Sequence, residues 1–275
     1  MKKNDALVVV IVYAILIVMS VIMVFPFIWM VFTSLKPAEE VFYYPPRLLP
    51  INWQFGNYFS LWNAAPFGKF YINNIVVSIA ITLGQLITCS LGAYAFARLN
   101  FKGRDKLFLL YLATLMIPFQ VTMIPIYSIV KVLNWINTLW GVIIPSVFSA
   151  YGTFLLRQFF MTIPKELEES VKIDGGGFFL CYSAIVLPLS KTALATLGTF
   201  VFLFAWNNFL WPMLVLNTLE FYTLPLGITF FQGRYGTQWN MLMGAGVITM
   251  MPLLLVYLFA QRFFISGLTV GAVKG

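Results

Sequence analysis

The chain has 275 residues, 61% of them apolar and 9% charged, with a mean hydropathy of +0.89; a soluble domain could not cover that much apolar surface, so the composition is that of a polytopic membrane protein. Histidine is absent and acidic residues number nine, which removes the usual metal ligands and most general acids or bases, so neither a metal, a cofactor nor catalysis by the chain itself is expected. The net charge of +8 is carried by basic residues scattered between hydrophobic stretches, an arrangement that argues against a nucleic-acid partner and for orientation in a bilayer.

Lys2 and Lys3 precede an apolar run over 6–32, too long for the core of a signal peptide and therefore read as the first span. Stretches of about 20 apolar residues place six spans, roughly 7–32, 72–97, 107–130, 139–160, 192–216 and 241–264. The expected fold is all-α, a single transmembrane domain over 1–275. Prolines inside the spans, among them Pro118, Pro125, Pro145, Pro212 and Pro252, predict kinks of the kind a bundle tolerates when neighbours satisfy the freed backbone. Cys89 and Cys181 lie in separate segments without metal or redox spacing and read as small reduced apolar residues.

The first outer connection, 33–71, carries Tyr43, Tyr44, Pro45 and Pro46, then Trp53, Tyr58 and Trp62. It reads either as an aromatic belt at the lipid surface or as a docking surface for an external partner. The third, 217–239, carries Tyr222 to Pro225 and Gln232 to Gly236. Lysine and arginine divide twelve to five between the two sides. The richer side holds both ends and the connections around Lys102 and Lys172, so the positive-inside rule makes both termini cytoplasmic.

Between the fourth and fifth spans stands the one charged, glycine-broken segment. The run KELEESVKID over 165–174 has the lysine and carboxylate spacing of a short solvated helix, with Pro164 acceptable in its first turn. Gly175, Gly176 and Gly177 stop it, and a second short helix is predicted from Phe178 to near Pro188. A solvated loop and a segment shaped to dock into a cleft are both compatible with this pattern.

Glu169, Gly175, Ile185, Leu187 and Pro188 fall in register with the Glu-Ala-Ala signature of binding-protein-dependent ABC importer permeases, with Ser170 and Val171 replacing the two alanines. The ending Gly-Leu-Thr-Val-Gly-Ala-Val-Lys-Gly, Leu224 with Pro225, and Trp206 with Asn207 extend the likeness over essentially the whole chain. It resembles the second, six-span subunit of the maltose/glycerol-3-phosphate group of ABC carbohydrate importers.

That resemblance implies a type I importer permease in a bacterial or archaeal cell membrane. Its partners would be a second permease subunit, two copies of an ATPase, an extracytoplasmic sugar-binding protein, lipid and a sugar substrate. It also implies that a cytoplasmic loop over about 161–190 couples to the ATPase through Glu169, Ser170, Val171, Asp174, Gly175, Ile185, Leu187 and Pro188. The sequence contains no Gly-x-x-x-x-Gly-Lys-Ser/Thr loop, so ATP hydrolysis is expected of another chain. The alternatives are an ion-gradient-driven carrier, which would place ionisable groups inside its spans, and a structural membrane subunit. Arg157, near a cytoplasmic end, is nearly the only ionisable residue within the spans.

On the fifth span, Phe204, Asn207, Asn208 and Trp211 have the spacing of one helix face. Two adjacent amides at that depth need partners. They read either as glue to a neighbouring span or as a sugar-contacting stripe, with Trp206 pointing off it.

Overall fold

The computed structural model describes residues 3–233 and 236–272. Lys2, Lys274, Arg234 and Tyr235 lie outside the described residues, as do the side chains of Arg262 and of the tail from Ser266 onward. In chain order the helices are α1 (Lys3–Ser34), α2 (Gly56–Ala64), α3 (Phe67–Arg98), α4 (Arg104–Ala113), α5 (Phe119–Val132), α6 (Leu139–Ser146), α7 (Ala150–Phe160), α8 (Glu166–Ile173), α9 (Phe178–Leu189, π-helical over Cys181–Val186), α10 (Lys191–Trp206), α11 (Leu210–Val215), α12 (Leu224–Ile228) and α13 (Trp239–Ala272). A minimal antiparallel hairpin pairs β1 (Gln232–Gly233) with β2 (Gly236–Thr237).

Three helices are long and apolar enough to cross a bilayer unbroken: α1 over Val8–Ser34, α3, and α13 over Trp239–Phe259. Three bent pairs bring the possible crossings to six: Arg104–Met116 meets α5 at 100°, α6 meets α7 at 40°, and α9 meets α10 at 77°. The first break follows from Pro118, whose ring pushes Ile117 out of the helical region to φ −89°, ψ 114°. The second follows Pro145, which has no N–H for the carbonyl of Gly141; that oxygen instead accepts from Trp211 Nε1 at 3.1 Å. Beyond it the loosened carbonyls of Ser146 and Val147 accept from Gln85 Nε2 (2.7 Å) and Thr88 Oγ1 (2.5 Å), and the Ser149 carbonyl, which already accepts from Thr153 N–H in the first turn of α7, is also approached by Cys89 Sγ (3.4 Å). These three donors share one face of α3, so a single helix lines the break.

The fifth span differs from its expected form. The helix begun at Lys191 ends at Trp206, with Asn207 as its cap, and resumes only at Leu210. Asn207 turns its amide back on the carbonyl of Leu203 (2.8 Å), the competition with helix geometry that asparagine offers. Pro212 then withdraws the N–H that Asn208 would need.

The chain divides into two compact units, residues 1–67 with 228–251, and 68–227 with 252–275. In the first, the connection after α1 is internally bonded. Asn57 Nδ2 donates to the carbonyls of Ser34 and Lys36 (2.8 Å each), and the Ser34 and Tyr58 hydroxyls meet at 2.8 Å. The buried Lys36 donates to Arg47 O and lies 5.2 Å over the Trp29 ring, while the buried Glu40 carboxylate accepts from the N–H groups of Ile51 and Asn52. This loop displays Phe42, Tyr44 and Phe59, all largely exposed. Along α1 the apolar side chains from Val8 to Phe27 are exposed, a surface suited to lipid or another membrane chain.

The second unit holds the main core, in which α3, α7, α9 and α10 meet around the buried Leu156, Val186 and Leu197. Close approach depends on Gly152, where an added Cβ would stand 2.8 Å from Cys89 Sγ. Cys89 and Cys181 are both buried and free.

Candidate functional site

Within the second unit, α8 carries Glu166, Glu168 and Glu169 in its first turn and Lys172 in its last, the charge order that complements a helix dipole. Its end is a Schellman turn: Gly175 takes φ +83° and donates to Lys172 O (3.0 Å), and Gly176 donates to Val171 O (2.8 Å). The glycines have separate reasons. Gly175 supplies the left-handed backbone, whereas a Cβ on Gly176 would stand 2.5 Å from Val171 Cγ1 and 2.8 Å from Val171 O. The turn delivers the chain to α9, which ends at Leu189, one residue beyond Pro188.

The helix has two chemically distinct faces. Glu166, Glu169, Ser170 and Ile173, spaced at three and four residues, are exposed, and Ile173 at the tip is 85% exposed. Glu168 is buried on the other side and Val171 packs against the core. Of the remaining signature residues, Leu187 packs against the core, Ile185 is half-buried, and Asp174, Gly175 and Pro188 are exposed.

Sequence reasoning singled out Glu169 and missed Glu168. The Glu168 Oε1 lies 3.0 Å from Arg98 Nε at the end of α3, with the two side chains 8% and 3% exposed. Arg98 Nη2 donates to the carbonyls of Phe160 and Ile163 where α7 ends. The Glu168 carbonyl is also approached by Cys181 Sγ of α9 at 3.8 Å. On the helix only Glu168 and Val171 of the run over 165–174 fall opposite the face made by 166, 169, 170 and 173, but nothing in the run itself marks which face turns inward.

The stripe expected on the fifth span does not form, because the helix breaks inside it. Phe204 is 71% exposed and Asn207 is exposed beside it, Asn208 is half-buried, and Trp211 is 2% exposed on the separate helix α11. Trp211 gives its N–H to Gly141 O and meets Phe119 edge-on at 5.9 Å, which makes it a core anchor. Trp206 is fully buried, 5.5 Å from Phe202 and edge-on to Tyr71 at 5.9 Å, and its carbonyl accepts from Asn74. The Asn207 amide bonds within its own helix rather than across to a neighbour. Among the described residues no cluster of His, Cys, Asp or Glu could hold a metal ion.

Residues 86–270 match the family described as binding-protein-dependent transport system inner membrane component. The chain is similar to the arabinooligosaccharides transport system permease protein AraQ of Bacillus subtilis (strain 168), 35% identical over 260 residues covering 94% of this chain and 92% of the relative. It is also similar to the sn-glycerol-3-phosphate transport system permease protein UgpE of Pectobacterium atrosepticum, 39% identical over 238 residues, 84% of this chain and 85% of the relative. Among solved structures, its fold matches a chain of a bacterial ABC transporter involved in the import of the acidic polysaccharide alginate, with TM-score 0.86, 21% identity, and 96% and 99% of the two chains covered.

Proposed function

We propose a mechanism on the premise that this chain belongs to the binding-protein-dependent transport system inner membrane component family and is a membrane-spanning permease of the ABC importer type. In this reading it forms half of a translocation pathway for a carbohydrate or a comparably hydroxylated solute. A second permease supplies the other half, an external binding protein delivers the substrate, and two ATPase subunits drive the cycle from the cytoplasm. The relatives' names, which concern arabinooligosaccharides and sn-glycerol-3-phosphate, support the substrate class.

The observation that carries the reading is the two-faced helix α8. Nucleotide-driven closure of an ATPase dimer reaches the membrane only through an element that is docked on one side and rigidly held on the other. α8 offers Glu169, Ser170 and Ile173 outward and is held inward by Glu168 and Val171. We assign the exposed stripe to the ATPase groove, with Glu169 meeting a basic residue there. At the end of α10, Phe204 and the cap residue Asn207 keep an exposed aromatic face and an amide side by side, the pair of groups a sugar ring and its hydroxyls would use.

Two measurements test the assignment. Affinity purification of the tagged chain from membranes is expected to recover an ATP-hydrolysing chain and a second permease; recovery of a lone chain from cells that still import the substrate would end the reading. Cysteine at Lys172 or Lys102 is expected to be labelled only from the cytoplasm and cysteine at Asn52 only from outside, with the buried Cys89 and Cys181 silent. Asn52 is preferred to Asn57, whose amide holds two loop carbonyls. External labelling at 172 would overturn both orientation and docking.

A further inference from the structure

We infer that Arg98, Arg157 and Glu168 form a positioning clasp that makes α8 move as one body with the ends of α3 and α7, so that displacement of the docked helix reaches the pathway spans. This rests on the coupling role proposed for α8. The two arginines cap each other's helices: Arg98 of α3 donates to Phe160 O and Ile163 O at the end of α7, and Arg157 of α7 donates through Nε to Phe96 O, in the last turn of α3, at 3.1 Å. Carbonyls at a helix C-terminus lack intrahelical donors and sit at the negative end of the dipole, so each cation is held by geometry and charge together.

The clasp has two outer members. Glu168 brings α8 to Arg98, and α4 reaches Arg157 through the Phe108 ring, 4.1 Å from the guanidinium carbon, and through Asp105 at 3.8 Å. Four helices therefore converge on two guanidinium groups. Burying such charges is a poor way to gain stability, since apolar residues of similar size commonly do as well or better. What the charges supply is a fixed relation between the ends of helices whose bodies already pack in one core. The Arg98 Nε and Glu168 Oε1 atoms make no aligned hydrogen bond despite their 3.0 Å separation. Their attraction is therefore mainly charge to charge.

The test uses the assembled transporter in vesicles, with retained ATPase, ATP hydrolysis and substrate imported per ATP all measured. Glu168→Gln preserves shape and leaves Arg98 its two carbonyls, so the ATPase is expected to stay bound while import per ATP falls at least tenfold. In Arg98→Gln/Glu168→Gln the loss is expected to match the worse single variant, because both remove the same link. A parental import-to-hydrolysis ratio in Glu168→Gln, or a double loss equal to the product of the singles, would overturn the clasp. Should Glu168→Gln fail to accumulate, Glu168→Asp keeps the charge with a shorter reach; a partial loss of the ratio supports the clasp and a parental ratio overturns it. Glu169→Lys in the same assay separates the two levels: if it leaves docking and import intact, the coupling role of α8 itself is wrong.

Discussion

Replacing Glu169 by lysine is expected to leave the chain inserted at parental abundance while ATPase recovery and substrate import both fall by at least tenfold. The side chain is exposed and α8 is anchored through Glu168 and Val171 on its opposite face, so the substitution breaks no bond within the chain. Placed against a basic ATPase residue, it removes a charge-assisted hydrogen bond worth roughly 1.5–3 kcal/mol and adds like-charge repulsion. A bond of that size corresponds to about ten- to hundredfold in affinity. Co-purification of the ATPase with the tagged variant, followed by import in vesicles, checks both halves. Parental import with the ATPase bound would remove Glu169 from the interface and, with it, the coupling role proposed for α8.

Trp211→Ala is expected to lower the yield and thermal stability of the detergent-solubilised protein, at a cost of about 3–5 kcal/mol for a truncated buried aromatic. The indole fills space between α5 and α6 and supplies the donor that Pro145 denies to Gly141 O. Truncation therefore leaves both a cavity and an unpaired buried carbonyl. Phe204→Ala, at an exposed position of α10, is expected to keep parental yield and melting temperature while lowering import, and Asn207→Asp, which keeps the size of the exposed cap side chain after α10, is expected to lower import as well. Size-exclusion yield and a thermal melt beside import assays separate the two behaviours. Normal assembly of Trp211→Ala would refute its anchoring role, and unchanged import in the Phe204 and Asn207 variants would take α10 off the pathway.

The hydrophobic pattern of this sequence determined a helical membrane bundle with up to six crossings, because a run of about 20 apolar residues has no other stable environment. It also determined the helix–glycine–helix segment after Pro164, since three glycines following a charged amphipathic run stop a helix wherever the chain folds. The Schellman turn at Gly175 and Gly176 is local chemistry of that kind.

The break at 207–209 is local as well, written in Asn207, which bonds Leu203 O, and in Pro212, which withholds a donor from Asn208; the span looked continuous only because hydropathy averages over both. Two features were decided only by the tertiary structure. Trp211 has the spacing of a pathway residue, but the free carbonyl that claims it belongs to a helix 70 residues earlier. Glu168 and Glu169 are adjacent and chemically identical in the sequence, yet one is buried on Arg98 and the other exposed. A 100° step around the helix separates them, and which one faces inward is set by where α3 and α7 end, a long-range fact that local pattern does not carry.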